Sequence, residues 1–197
     1  MNFDLVAFGI RDGIWEVVAT TRSENGVTNA SPIGLRCTQE NLTVSLYSPS
    51  RTLENVLETG YIGVNILHDP LIFVHAAMGD LDSSYFGMLD GFPVIRSAQG
   101  WIIFETRFLE HTDTYRFELT PIAMHKNLDM IHPVNRGFNA LIEALIIATR
   151  YRITPESKRE ALQKDIDFYA AIVQKCGGEK EREAMELLNA YLMEIEG

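Results

Sequence analysis

Cysteine is nearly missing from this chain of 197 residues, which has only Cys37 and Cys176, far apart and in no paired spacing. That argues against a disulfide framework, and the expectation is two unbridged thiols in a reducing cytoplasm. Long apolar runs are missing as well. Stretches such as Trp101-Ile102-Ile103-Phe104 are broken by charges well before the roughly 18 residues that a membrane helix needs. Met-Asn-Phe-Asp opens the chain without a basic stretch ahead of an apolar one, so no secretory signal is expected. Positive charge is in deficit: 17 Lys and Arg face 27 Asp and Glu, a net charge of −10. Such a surface repels nucleic-acid phosphates and anionic lipid, and neither is expected as a partner.

The familiar catalytic signatures are also lacking. The histidines at 68, 75, 111, 125 and 132 form no HxH or HExxH spacing, and Pro70 interrupts any helical face shared by His68 and His75. No metal site is expected. GxSxG, GxGxxG and P-loop patterns do not occur, so hydrolase, Rossmann and NTPase readings have no support.

What is present is the balance of a packed protein, with 46% hydrophobic and 22% charged residues. The first part of the chain, to about residue 130, reads as strand-rich. Leu42, Val44 and Leu46 alternate with Thr43, Ser45 and Tyr47, the period of a half-buried strand. Gly13 to Thr21 and Val27 to Leu35 flank Asn25-Gly26, a tight-turn pair that predicts a hairpin. Tyr61 to Leu67 is a further strand, and Trp101 to His111 with Tyr115 to Lys126 predicts a second hairpin. Many short antiparallel strands at this spacing suggest a barrel or sandwich. Two helices interrupt them: Arg51 to Gly60, between Ser50 and a terminal glycine, and Pro70 to Met78. Gly79 to Gly100 reads as loop.

After His132-Pro133 the pattern turns helical. Gly137 to Tyr151 is one helix, a second opens with Thr154 as N-cap and Pro155 at its first position, and Cys176-Gly177-Gly178 closes it. Glu179 to Glu196 makes the third. The expected class is therefore a β-rich α+β protein, with a strand domain over 1–130 and a helical extension over 131–197. Arg136, Glu143 and Arg150 recur at seven-residue steps and share a helix face. Glu143 lies between apolar triplets, where a lone carboxylate would be costly, so an ion-pair seam with the two arginines is expected. Contact of Arg136 or Arg150 with an anionic ligand is the alternative.

An anionic cofactor needs a local positive site on so acidic a protein. Ser50-Arg51-Thr52 offers one, because a helix start presents N–H groups and partial positive charge, and Arg51 adds a fork matched to phosphate. Read alone, the triplet fits a simple cap with a solvated arginine better, since such triplets are common at helix starts. Thr28-Asn29-Ala30-Ser31-Pro32-Ile33-Gly34 places a proline and a glycine inside a strand, which suggests an edge or bulge with exposed backbone groups. Small residues there let a flat ring approach, although an edge defect without a ligand explains them too.

Taken in order, Asn29–Gly34, Ser50–Asn55 and Thr59-Gly60-Tyr61-Ile62-Gly63-Val64-Asn65 resemble the FMN-binding split barrel of flavin-reductase-like proteins. With Asn135-Arg136-Gly137, Glu143-Ala144-Leu145 and Ala148-Thr149-Arg150, nearly the whole chain is similar to a largely archaeal family of FMN-binding split-barrel proteins with a helical C-terminal extension. The resemblance implies an antiparallel split barrel and FMN at the interface of a homodimer. It places the phosphate near Ser50, Arg51 and Thr52, with Asn55 on the same helix, and the flavin ring against Thr28, Asn29, Ala30, Ser31 and Pro32. Arg51 and Thr52 are adjacent here, without the extra residue some flavin reductases have between them. The implied activity is a flavin-dependent oxidoreductase acting with a small-molecule substrate or NAD(P)H. A non-catalytic flavin carrier or sensor is the alternative, and a split barrel with another ligand such as haem is a third reading. No catalytic residue is assigned.

Overall fold

The computed structural model describes residues 4–11, 13–38, 41–127 and 135–196. The chain divides into two compact units, Met1–His68 with Leu81–Met130, and Asp69–Asp80 with Ile131–Gly197. The change of character at His132-Pro133, and the boundary between residues 130 and 131, lie outside the described residues.

The first unit is a closed antiparallel barrel. Its strands are β1 (Gly13–Arg22), β2 (Thr28–Cys37), β3 (Leu42–Leu46), β4 (Tyr61–Ile66), β7 (Gly100–His111) and β8 (Tyr115–Lys126), in the order β1-β2-β3-β8-β7-β4. The β1–β2 hairpin is tight because Gly26 sits at φ 81°, a left-handed position that glycine takes without a Cβ clash. Side chains alternate as the sequence requires: Val17, Ala19, Ile33, Leu35, Val44, Leu46, Phe117 and Leu119 fill the interior. Outside, Arg107 pairs with Glu118, and Arg116 with Glu110 at 3.0 Å.

Helix α1 (Arg51–Thr59) belongs to this core. The Ser50 hydroxyl accepts from the Leu53 N–H at 3.2 Å, and Gly60 ends the helix at φ 75°. Leu53 and Val56 are 4% and 2% exposed within the barrel core. Burying the two is worth roughly 3–6 kcal/mol, which holds the helix on the strands.

Gly79 to Gly100 is not all loop. It contains a small hairpin, β5 (Phe86–Leu89) and β6 (Phe92–Ile95), joined by Asp90-Gly91 with φ values of 49° and 77°. Two consecutive positive φ values make the turn whose twist suits a hairpin, and Asp-Gly is a favoured pair for it. The strands are four residues long and one contains Pro93, too short for a period-2 pattern to stand out. The hairpin docks on the barrel through a buried polar knot. Asn65 donates to the Val18 carbonyl at 2.8 Å and to the Thr20 hydroxyl at 3.1 Å, and accepts from the Ile95 N–H at 2.6 Å. Thr20 in turn donates to the Pro93 carbonyl at 2.7 Å.

The second unit is helical: α2 (Pro70–Met78), α3 (Arg136–Thr149), α4 (Glu156–Cys176) and α5 (Glu179–Glu196). Phe73 of α2 meets Phe138 of α3 edge-on at 5.9 Å, and Tyr191 of α5 approaches His75 Nδ1 at 3.4 Å. Asn135 caps α3 through the N–H groups of Gly137 and Phe138, and its amide donates to Glu181 at 3.2 Å. Thr154 does not cap α4. Its hydroxyl donates back to the Arg150 carbonyl at 2.9 Å, Pro155 stays extended, and the helix starts one residue later than expected.

Glu143 is exposed, as are Arg136 and Arg150, so the expected apolar setting for its carboxylate is corrected. The flanking triplets are neighbours in sequence, but around the helix they point elsewhere. Seven-residue steps also separate successive charges by about 10 Å along the axis, too far for a direct ion pair without side chains leaning together.

Candidate functional site

The two segments singled out in the sequence lie side by side. β2 pairs with β1 along its whole length, from Gly13↔Cys37 to Arg22↔Thr28. Its pairing with β3 is confined to Leu35, Arg36 and Cys37. Thus Thr28 to Gly34 has, among the described residues, a strand partner on one side only. This is where Pro32 sits, and a residue without an N–H is tolerated at such an edge. Gly34 serves the strand pair itself, since a Cβ there would come within 3.1 Å of Ile14.

The start of α1 closes against this edge. The Thr52 hydroxyl accepts from the Asn29 amide at 3.0 Å and shares a 2.7 Å hydrogen bond with the Ser31 hydroxyl. One turn on, the Asn55 amide donates to the Thr21 hydroxyl at 3.0 Å. Thr52 and Asn55 are buried, at 4% and 7% exposure. Both side chains therefore face the strands and fix the helix start on them.

Of the remaining candidates, all but Ala30 keep exposed surface. Arg51 is exposed at the first helical position, Ser50 is half-buried, and its hydroxyl both caps the helix and donates to the Tyr47 carbonyl at 2.7 Å. Thr28 is exposed, Asn29, Ser31 and Pro32 are half-buried, and Ala30 is buried. Two kinds of recognition thus meet within one short span. A helix start and a guanidinium suit a phosphate, and an unladdered strand edge with small side chains suits the polar rim of a flat heterocycle.

Thr21 belongs to this construction and was not singled out by sequence. The only signal was a Thr-Thr pair closing the apolar run Val17-Val18-Ala19. No group of three or more His, Cys, Asp or Glu among the described residues is placed to hold a metal. No helix among them is long and apolar enough to cross a membrane. Cys37 and Cys176 form no disulfide.

A closed antiparallel barrel whose β2 is unladdered on one side from Thr28 to Gly34, with a helix start set against that edge and a helical C-terminal region, defines the class: an FMN-binding-type split barrel with a helical extension. The chain belongs to the DUF447 family. The family's N-terminal domain, described as a protein of unknown function, matches residues 15–127, and the second DUF447 domain matches residues 135–190. A crystal structure of the FMN-bound protein MM1853 from Methanosarcina mazei, of the same family, is 37% identical to this chain. It matches 95% of this chain and 100% of that one with a TM-score of 0.88. The uncharacterized protein MJ1453 of Methanocaldococcus jannaschii is 28% identical over 189 residues, 89% of this chain and 96% of its own.

Proposed function

We propose that this chain binds FMN, with the phosphate at Ser50, Arg51 and Thr52 and the ring along Thr28 to Pro32. One observation carries the reading: the Thr52 hydroxyl ties the helix start to Asn29 and Ser31, so an anion site and an open strand edge adjoin. The 37% identical relative crystallised with FMN supports the choice of ligand. Asn55 holds α1 in place behind the site. The flavin lies at the interface of a homodimer in this reading, and the protein works in the cytoplasm as a flavin-dependent oxidoreductase on a small-molecule substrate, with NAD(P)H as a candidate donor.

FMN supplies the electron-transfer chemistry when bound, and the chain's own groups place it and exclude solvent. Arg51 and the helix dipole neutralise the phosphate, which a net charge of −10 would otherwise repel. Backbone groups of the β2 edge meet the polar rim of the ring.

The test is the protein as purified. A yellow preparation that releases FMN on denaturation, identified by mass spectrometry, is expected. A colourless protein that also fails to bind added FMN would overturn the reading. NADH or NADPH oxidation with turnover marks the oxidoreductase, and bound FMN without turnover marks a carrier or sensor.

A further inference from the structure

We infer that Tyr47 is a flavin-binding residue, stacking its ring on the isoalloxazine from the side of the split opposite β2. The inference rests on the flavin reading above and names a residue which that reading did not use. Tyr47 follows β3 directly. Leu42, Val44 and Leu46 turn into the core at 7%, 1% and 3% exposure, so Ser45 and Tyr47, both exposed, point outward by strand alternation. On β2 the same alternation turns Ile33 and Leu35 inward and Pro32 outward.

The β2–β3 ladder ends at Leu35↔Val44. Continued by three residues, that register would set Tyr47 opposite Pro32. The strands part instead, and the gap between them is the open edge proposed to receive the ring. Tyr47 therefore lies across the split from Pro32 and on the same outer side. Its backbone is tied to the phosphate turn, because Ser50 Oγ donates to its carbonyl at 2.7 Å.

A large aromatic that is 68% exposed beside such a turn has little protein to pack on. A flat heterocycle in the split gives it a face to cover, and aromatic stacking of this kind favours offset parallel rings. An electron-rich phenol stacked on a flavin also quenches the flavin's fluorescence.

The experiment titrates the full-length apo-protein with FMN and with riboflavin, for the wild type, Tyr47→Ala and Tyr47→Phe. Tyr47→Ala is expected to weaken both ligands alike, by about tenfold, because stacking acts on the ring and not on the phosphate. The bound flavin should also become brighter. Tyr47→Phe should keep affinity within about twofold of the wild type, since it keeps the stacking ring, while losing part of the quenching. Unchanged affinity and fluorescence in Tyr47→Ala would overturn the role of Tyr47 and leave the flavin reading standing. Loss of FMN affinity with riboflavin unaffected would overturn it too, by moving the effect to the phosphate. A wild type that binds neither ligand would overturn both.

Discussion

Thr52 has a single hydroxyl and divides it between Asn29 and Ser31. Replacing it with valine keeps the shape and removes both hydrogen bonds, leaving two half-buried polar groups to find water. The expected cost is about 1–2 kcal/mol, read from the midpoint of urea unfolding with the m-value unchanged. FMN affinity should fall with it, because the helix start loses its tie to β2. Ser50 and Arg51 could be named from sequence as residues at a helix start, and Tyr47 as the end of a half-buried strand. What sequence could not show was which way each one faces. Thr52 and Asn55 turn to the strands and Arg51 turns outward, a difference set by helical phase against a barrel that only the folded chain creates. Glu143 makes the same point: its apolar neighbours in sequence leave it on an open stripe of α3.

Caps and turns set the elements. Ser50 and Gly60 bound α1 where the sequence places them, and Asn25-Gly26 gives the β1–β2 hairpin, because these signals act within four residues. Asp90-Gly91 is an equally local signal, but its flanking strands are too short to draw attention. At the start of α3 the limit is packing. A Cβ on Gly137 would lie 2.3 Å from Gly177 Cα and 2.4 Å from Gly177 N. Alanine is the better helix former by up to about 1 kcal/mol, yet backbone atoms at that distance cannot rotate away. Steric conflict should win. Gly137→Ala is expected to destabilise the protein by about 2 kcal/mol or more, with a lower thermal midpoint by circular dichroism. An unchanged or higher midpoint would mean that α3 and the turn after α4 sit further apart than described.

For the whole molecule, the strand-rich first part and the helical last part are legible as composition. The place of α2 is not. It lies in the middle of the chain, yet it packs with the C-terminal helices through Phe73 on Phe138 and Tyr191 near His75, contacts between residues more than 60 positions apart. No local pattern encodes such a pairing. The proposed homodimer is likewise a property of the assembled surface, and light scattering of the FMN-loaded protein should give twice the chain mass. A monomer that keeps FMN bound would contradict an interfacial flavin.

In the proposed complex, Arg51 and the start of α1 hold the phosphate of FMN. Calorimetric titration of the apo-protein with FMN and riboflavin, for the wild type and Arg51→Ala, tests it most directly. The wild type should prefer FMN by at least about tenfold, and Arg51→Ala should lose most of that preference while riboflavin binding holds, as expected for a charge-assisted contact. Equal loss of both ligands, or a wild type indifferent to the phosphate, would contradict it.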